Sequence, residues 1–162
     1  MSSAFRAFDE SGLSQTEIAA WRGLLDVSGE LRSRLSQVFQ ETAALSEGDF
    51  AVLVALAEAD HGALRSSELA DAIHWERSRL SHHLGRMQQR GLIRREPHPA
   101  DSRGAVVEST DAGREAMSRA MGPHLRALKE LFVDSLTDRQ MRDLARLMAA
   151  IQRHLDLADD GR

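Results

Sequence analysis

The chain has 162 residues, of which 42% are hydrophobic and 28% are charged, and its formal net charge is −4. This length and composition fit one globular domain with a real core and exclude wholesale disorder. The chain has no cysteine, which excludes disulfides and thiolate metal sites, and no apolar run approaches the ~20 residues that a membrane helix needs. The N-terminus lacks the pattern of a secretory signal, so we expect a cytoplasmic protein that does not contact membranes.

The first third of the chain has helical patterning. Apolar residues recur at helical spacing over residues 14–43, which predicts one long amphipathic helix. Ser46 can then cap a second, short helix that runs to about Glu58. Leu45 and Phe50 stand at the spacing of a hydrophobic staple, which supports a helix start at this point.

The middle of the chain changes from helical to strand periodicity. Two helices are expected over residues 66–73 and 77–90, and Gly91 stands where a left-handed residue commonly follows a helix. Residues 92–96 and 105–108 are predicted as two strands, separated by a stretch rich in turn-forming residues. The sequence therefore predicts a pair of helices followed by a β-hairpin.

The C-terminal third is again helical. Thr110 can cap a helix that Gly122-Pro123 is expected to kink or split. Thr137 and Gln140 form a capping box for a last helix, in which apolar residues repeat at alternating spacings of three and four. Such a seam suits packing against other helices, and residues 157–162 are expected to fray.

One segment of this acidic chain is strongly basic. Residues 74–103 hold seven arginines against three acids, a net charge of +4, whereas the remaining residues hold 14 basic and 22 acidic side chains, a net charge of −8. A basic segment on an acidic body is typical of a local anion-binding surface. A charged face turned to solvent would have the same composition, so charge alone does not decide the function.

The helix predicted over residues 77–90 carries the strongest functional signal. Leu80, Leu84 and Met87 lie on one side, where they can pack on the preceding helix. The other sides carry cations, hydroxyls and amides, with no acid after Glu76, which suits the major groove of DNA. The candidate DNA-binding residues are Ser66, Ser67, Arg77, Ser78, Arg79, Ser81, His82, His83, Arg86, Gln89, Arg90, Arg94, Arg95 and Arg103.

The predicted hairpin tip adds a second DNA-contact hypothesis. An arginine on a slim loop, here Arg103, can enter a minor groove, where the narrow walls deepen the negative potential. Asp101 could orient the Arg103 guanidinium through a charge-assisted hydrogen bond. The alternative is that these two residues only shape a turn.

The stretch from Ser66 to Gly113 resembles the winged-helix domain of MarR-type bacterial transcriptional regulators. The matching pieces are SELA at 67–70, SRLS at 78–81, RMQQRGLIRR at 86–95, the D-x-R of the hairpin tip and T-x-x-G at 110–113. The sequence departs from the family pattern at His74, since many members have glycine in that turn.

The resemblance implies a mainly α fold with a small β-hairpin wing, a winged helix-turn-helix flanked by dimerisation helices. It divides the chain into an N-terminal arm and dimerisation helix at 1–44, a DNA-binding domain at 45–110 and C-terminal dimerisation helices at 111–162. It also implies a homodimer that places two copies of the 77–90 helix in successive major grooves of pseudo-palindromic double-stranded DNA, about 34 Å apart. We expect a repressor without a cofactor.

The resemblance further implies an effector pocket between the dimerisation helices and the winged domain. In the family such pockets often take aromatic or phenolic anions. Trp21, Arg22 and Phe50 are the candidate lining residues, although Trp21 and Phe50 could instead be ordinary core.

Other functions were weighed against DNA binding. Glu58-x-x-His61 and Asp71-x-x-His74 have helical ligand spacing, which leaves a metal effector open. A winged helix can also bind a protein partner, although seven arginines along one unit favour DNA. Common catalytic motifs, such as a nucleophile elbow or a phosphate-binding glycine loop, are missing, so we expect no enzyme activity.

Overall fold

In the computed structural model, the described part of the chain folds into six α-helices and a three-stranded antiparallel sheet. The structure describes the backbone of residues 12–98 and 101–160, and the side chains of residues 12–96 and 105–157. This architecture confirms the predicted mainly α fold with a hairpin wing.

The helices and strands follow one another in the predicted order, with one added strand. Helices α1 to α4 span Gln15–Ala43, Glu47–Glu58, Ser66–Ala72 and Arg77–Gln89. Helices α5 and α6 span Asp111–Leu131 and Asp138–Asp160, joined by a 3₁₀ turn at Val133–Ser135. Strands β1, β2 and β3 span Ala63–Arg65, Ile93–His98 and Asp101–Ser109.

The sheet has the order β1-β3-β2, so β3 is central. Strands β2 and β3 form the predicted hairpin, with Ile93 opposite Ser109 and an irregularity between Pro97 and His98. Strand β1 was not predicted. It has only three residues, too few to show the alternation of a strand, and it forms because Leu64 pairs with Val107 of β3.

Side-chain caps explain where the helices begin. Ser46 accepts a hydrogen bond from the Asp49 backbone N–H at 3.1 Å, while the Asp49 carboxylate accepts one from the Ser46 N–H at 2.8 Å. Thr137 and Gln140 exchange the same pair of bonds before α6, as predicted. Gly91 has the expected left-handed conformation, with a φ of 71°.

Helix α5 corrects one prediction. Of the expected kink or split at Gly122-Pro123, the split does not occur, since one helix continues through both residues. Contacts along α1 favour one continuous helix, and α5 buries Ala116 and Ala120 just before this point. Helix α6 also extends beyond the predicted fraying point, as far as Asp160.

The core lies where α2, α3, α4, the sheet and the first turns of α5 meet. Its fully buried side chains include Leu53 and Leu56 of α2, Leu69 of α3 and Leu80 and Leu84 of α4. Helix α1 adds Phe39 near its C-terminal end. The core therefore fixes α4 on one side and leaves its opposite side free for function.

The N-terminal half of α1 and the whole of α6 extend away from this core. Both carry large apolar side chains that are exposed in the single chain: Trp21, Leu24, Leu25 and Val27 on α1, and Leu147, Met148, Ile151, Leu155 and Leu157 on α6. A groove of about 560 Å³ lies between the two helices and is almost entirely apolar. Within the described residues, no helix is both long enough and apolar enough to cross a membrane.

Candidate nucleic-acid interface

Helix α4 presents a polar row on the side opposite the core. Leu80, Leu84 and Met87 are buried, as predicted from their spacing. Ser78, His82 and Gln89 are exposed and fall on one line along the outer surface, since successive positions are four and seven residues apart. This row offers hydroxyl, imidazole and amide groups, which can hydrogen bond to base edges.

The N-terminal part of α4 adds more donors beside this row. Arg77, Arg79 and Ser81 are all exposed. The Arg79 guanidinium lies over the Trp75 ring, with 4.1 Å between its central carbon and the ring centroid. This cation–π contact holds Arg79 close to the turn that precedes the helix.

His83 does not belong to the outer row, which corrects the sequence prediction. Its side chain is only 10% exposed, and its ring meets the Trp75 ring edge-on at 5.2 Å between centroids. Its position explains the burial: three residues after Leu80 and four before Met87, His83 extends the apolar stripe of the helix. His83 therefore packs inside the domain instead of contacting DNA directly.

A buried carboxylate links α2 to this inner side of α4. The Asp49 side chain is 2% exposed, and one of its oxygens accepts a hydrogen bond from the Arg90 guanidinium at 2.6 Å. Its other oxygen lies 3.0 Å from His83 Nε2. Arg90 also donates to the Ala44 carbonyl at the end of α1. Asp49 thus connects α2 with His83 of α4 and with Arg90, the residue directly after α4, and Arg90 extends the connection to α1.

The charge states follow from these contacts. Burial raises the pKa of Asp49, but hydrogen bonds from the Ser46 backbone and Arg90 outweigh it, so the pKa lies below its ordinary value. Burial lowers the pKa of His83, the neighbouring Asp49 opposes this, and the pKa remains below its ordinary value. At neutral pH Asp49 is therefore ionised and His83 is neutral.

Two more arginines of the predicted DNA surface have partners within the domain. The Arg86 guanidinium donates to His83 Nδ1 at 3.0 Å. Arg90 is bound to Asp49 and Ala44, as described above. Both side chains lie on the flank of α4 that faces α1 and α2, so they border the outer row instead of forming its centre.

Other predicted contacts lie at the start of α3 and on the sheet. Ser66 donates its hydroxyl proton to the Ala105 carbonyl at 3.1 Å, which binds α3 to β3 and commits that donor. Arg94 is paired with Glu108 on the neighbouring strand, so its charge is compensated locally. Ser67 and Arg95 are half-buried. The side chains of Asp101 and Arg103 lie outside the described residues.

A cavity of about 580 Å³ opens between α1, the start of α2 and α4. Its walls include Arg32 of α1, Trp75, and three residues of α4: Arg79, His83 and Arg86. A smaller cavity of about 230 Å³ shares Arg32 with it and is lined by Phe39, Phe50 and His124. Phe39 stacks on both other rings, with centroids 4.3 Å from Phe50 and 4.8 Å from His124.

The three candidate effector residues do not form one pocket within the chain. Phe50 lines the smaller cavity but is mainly stacked on Phe39. Trp21 and Arg22 lie near the other end of α1, about 27 Å from Phe39 at the helical rise of about 1.5 Å per residue. Trp21 is 55% exposed. In the single chain it therefore neither lines a pocket with Phe50 nor belongs to the buried core.

The metal hypothesis gains no support from the described side chains. Among them, no three His, Asp or Glu residues lie close enough together to hold a metal ion. The pairs Glu58/His61 and Asp71/His74 therefore lack a third ligand within the described part of the chain.

Asp49 and Arg32 are the main site residues that the sequence did not reveal. Ser46-x-x-Asp49 is a capping-box spacing, so a cap by Asp49 could have been predicted. Its partner Arg90 is 41 positions away, and no local pattern reports such a pair. His83 could have been assigned to the interior, since it shares the spacing of the apolar stripe.

Gly85 lies in the outer row. Its replacement by alanine should affect stability and duplex binding in opposite directions. A Cβ built at Gly85 would meet no atom within 4 Å, so Gly85→Ala should raise the free energy of unfolding by about 0.5–1 kcal/mol. Urea unfolding at fixed protein concentration measures this change. If the row enters a DNA groove, the added methyl should also weaken duplex binding. Tighter binding together with higher stability would contradict a close approach of this row to DNA.

Comparisons with known proteins point in one direction. The sequence model of the MarR family matches residues 45–104. The chain is 33% identical to AbsC, a MarR family transcriptional regulator from Streptomyces coelicolor, over 89% of this chain and 97% of that one, with a TM-score of 0.83. It is also 33% identical to Sco3205, a MarR family regulator from the same organism solved in complex with DNA, over 88% of this chain and 90% of that one, with a TM-score of 0.83.

A curated relative shows a more distant similarity. The HTH-type transcriptional regulator PecS from Dickeya dadantii (strain 3937) is 25% identical over 93 residues, which make up 57% of this chain and 55% of PecS. The chain spans little more than half the length of the curated relatives that it matches. The solved structures, in contrast, match it over nearly their whole length.

Proposed function

The chain belongs to the MarR family of transcriptional regulators, and from this premise we propose that it represses transcription by binding pseudo-palindromic duplex DNA as a homodimer. This family consists of regulators and not of enzymes. A repressor of chromosomal genes acts in the cytoplasm, which is the location we propose.

The exposed row on α4 is the observation that carries the proposal. Ser78, His82 and Gln89 face outward on a helix whose opposite side is fixed in the core. Beyond its N-cap Glu76, this helix contains no acidic residue that would repel phosphate. Arg77 and Arg79 add positive charge at its N-terminal end, which in helix-turn-helix proteins is the end that contacts base edges.

The unpaired apolar surface supports the homodimer. Exposed leucines, together with Trp21 and Val27 on α1 and Met148 and Ile151 on α6, form more apolar surface than a single soluble chain ordinarily leaves open. A second copy of the chain can cover it symmetrically, as in most soluble oligomers. In this proposal residues 1–44 and 111–162 form the dimerisation unit, and residues 45–110 form the DNA-binding unit.

A small aromatic anion is the effector that the two adjoining cavities fit best. The larger cavity offers the guanidinium groups of Arg32, Arg79 and Arg86, and the smaller one offers the rings of Phe39 and Phe50. An effector that binds better to a dimer with another spacing of its α4 helices would lower DNA affinity by its differential binding free energy. Trp21 and Arg22 could take part only if the partner copy brings them to this cavity.

Selection of DNA fragments tests the proposal. Sheared genomic DNA is incubated with the full chain, and the bound fragments are recovered and sequenced. We expect an inverted repeat with half-sites about one helical turn, or about 34 Å, apart. Gln89→Ala should relax the preference at one base position in each half-site and cost about 1–3 kcal/mol of binding free energy.

A matched variant on the same helix controls this test. Gln88 is also exposed but lies beside the core stripe, away from the outer row, so Gln88→Ala should leave the selected motif unchanged. Recovery of fragments without any common motif, or of a single unrepeated half-site, would contradict sequence-specific binding by a dimer. Equal effects of the two variants would remove the outer row from the proposal.

A further inference from the structure

His83 and Arg86 are in contact on the inner flank of α4. His83 Nδ1 accepts a hydrogen bond from the Arg86 guanidinium at 3.0 Å. Its other ring nitrogen, Nε2, lies 3.0 Å from the Asp49 carboxylate. The space around the ring is tight, since a Cβ on Gly48 would approach His83 Cε1 to 3.0 Å and the Trp75 ring to 2.7 Å. The imidazole is therefore held in one orientation between a cation and an anion.

This arrangement fixes the protonation of the imidazole. Arginine keeps its protons throughout the physiological range, so Arg86 can only donate, and Nδ1 must be the unprotonated nitrogen. The single proton of the neutral ring then resides on Nε2, facing Asp49. A second proton could be added only at Nδ1, where it would point directly at the Arg86 guanidinium.

We propose that neutral His83 is a positioning residue that retains the Arg86 side chain on the flank of α4, and that protonation of His83 releases Arg86 to contact a DNA phosphate. The inference rests on the proposed binding of DNA through α4. Protonation converts the acceptor of the Arg86 hydrogen bond into a donor, and it places two positive charges in contact. The freed guanidinium has an exposed side chain on a helix whose other face meets DNA, so phosphate is its natural new partner.

The surroundings of His83 determine the direction of this effect. Burial lowers the pKa of His83, and the proximity of Arg86 and Arg90 adds to this, while Asp49 alone opposes it. When a DNA phosphate binds Arg86, the positive charge of Arg86 moves away from His83 and no longer disfavours protonation of the ring. Duplex binding should therefore be coupled to uptake of a proton by His83. The charged groups that surround the ring are Asp49 and Glu47 on α2, Arg79 and Arg86 on α4, Arg90 directly after α4, and Arg32 on α1 across the cavity.

The salt dependence of duplex binding tests the release of Arg86. The probe is a fluorescein-labelled duplex of about 30 base pairs with random sequence, titrated at several salt concentrations near pH 5 and near pH 8. If an arginine joins the phosphate contacts in acid, the slope of log K against log salt should become steeper by about 0.9 for each α4 helix bound. His83→Gln should abolish this change, because glutamine can donate to Asp49 and accept from Arg86 but does not titrate.

Two further variants and one direct measurement complete the test. His82 is present in wild type and in His83→Gln alike, so its contribution cancels in the comparison. Arg86→Ala should also remove the acid-dependent increase while retaining the slope near pH 8. The same increase in wild type and His83→Gln would overturn the proposal, and no duplex binding at either pH would overturn the DNA-binding function itself. Should His83→Gln fail to fold, the nitrogen chemical shifts of His83 in wild type decide, since a ring protonated at Nδ1 at neutral pH contradicts the proposal.

Discussion

Replacement of Gly113 by alanine is expected to lower the free energy of unfolding by about 3 kcal/mol, because the new methyl would overlap a main-chain atom. A Cβ at Gly113 would stand 2.0 Å from the Leu92 carbonyl oxygen and 3.2 Å from Leu53 Cδ2. Thr110 holds this junction closed, since its hydroxyl donates to the Gly91 carbonyl at 2.6 Å and accepts from the Gly113 N–H at 3.0 Å. Helix α5 must therefore move away from β2 to accommodate the substitution.

Gly122→Ala is the matched control for this prediction. Gly122 lies in the same helix, and its Cβ would meet only the tip of Arg126 at 3.6 Å, an ordinary contact distance. This variant should change the unfolding free energy by less than about 1 kcal/mol, because the gain in helix propensity is offset by crowding of the new Cβ against the ring of Pro123. Both are measured by urea unfolding at one protein concentration, since oligomers gain stability with concentration. Similar unfolding midpoints for the two variants would show that the junction at Gly113 yields easily.

Asp49→Ala should cause the second large loss, about 3 kcal/mol of unfolding free energy. The substitution removes the acceptor of the Ser46 N–H in the capping box and the acceptor of Arg90, and it leaves His83 facing an apolar methyl. Because α4 is bound to the end of α1 through these contacts, duplex affinity should fall as well. Urea unfolding and fluorescence anisotropy with labelled DNA measure the two effects.

Glu47→Ala is the charge-matched comparison, since it removes an exposed acid from the same turn of α2 and should cost less than about 1 kcal/mol. The pH dependence gives a further criterion. The pKa of Asp49 lies below its ordinary value, so the stabilisation it provides is fully present above that ordinary value and is lost as the pH falls through the lower folded-state pKa. If the two variants had equal stability at neutral pH, Asp49 would not have the linking role described here.

The helices were predictable because their signals are local. Ser46 and Thr137 each form the cap that their sequence context indicates, and Leu80, Leu84 and Met87 bury the expected side of α4. The three-residue strand β1 was missed, since its pairing with β3 depends on residues more than 40 positions later. Pro123 does not split α5, because packing between α5 and α1 overrides the local tendency to break a helix.

The candidate site was less predictable than the fold. The outer residues of α4 follow from helical periodicity, but the partners of its arginines do not. Arg86 is held by a histidine that the charge pattern had assigned to DNA, and Arg90 is held by an acid 41 positions earlier. A count of basic residues identifies a surface, whereas only the three-dimensional arrangement shows which cations are already engaged.

The two edges of the small sheet are both poor templates for another strand. β1 has three residues and runs directly into α3. β2, at the other edge, carries the exposed side chains of Arg94 and Glu96, followed by Pro97, which has no amide hydrogen. Short, charged or proline-containing edges resist intermolecular pairing. The sheet can therefore remain in contact with water without recruiting further chains, which protects a concentrated solution of the protein against fibril growth.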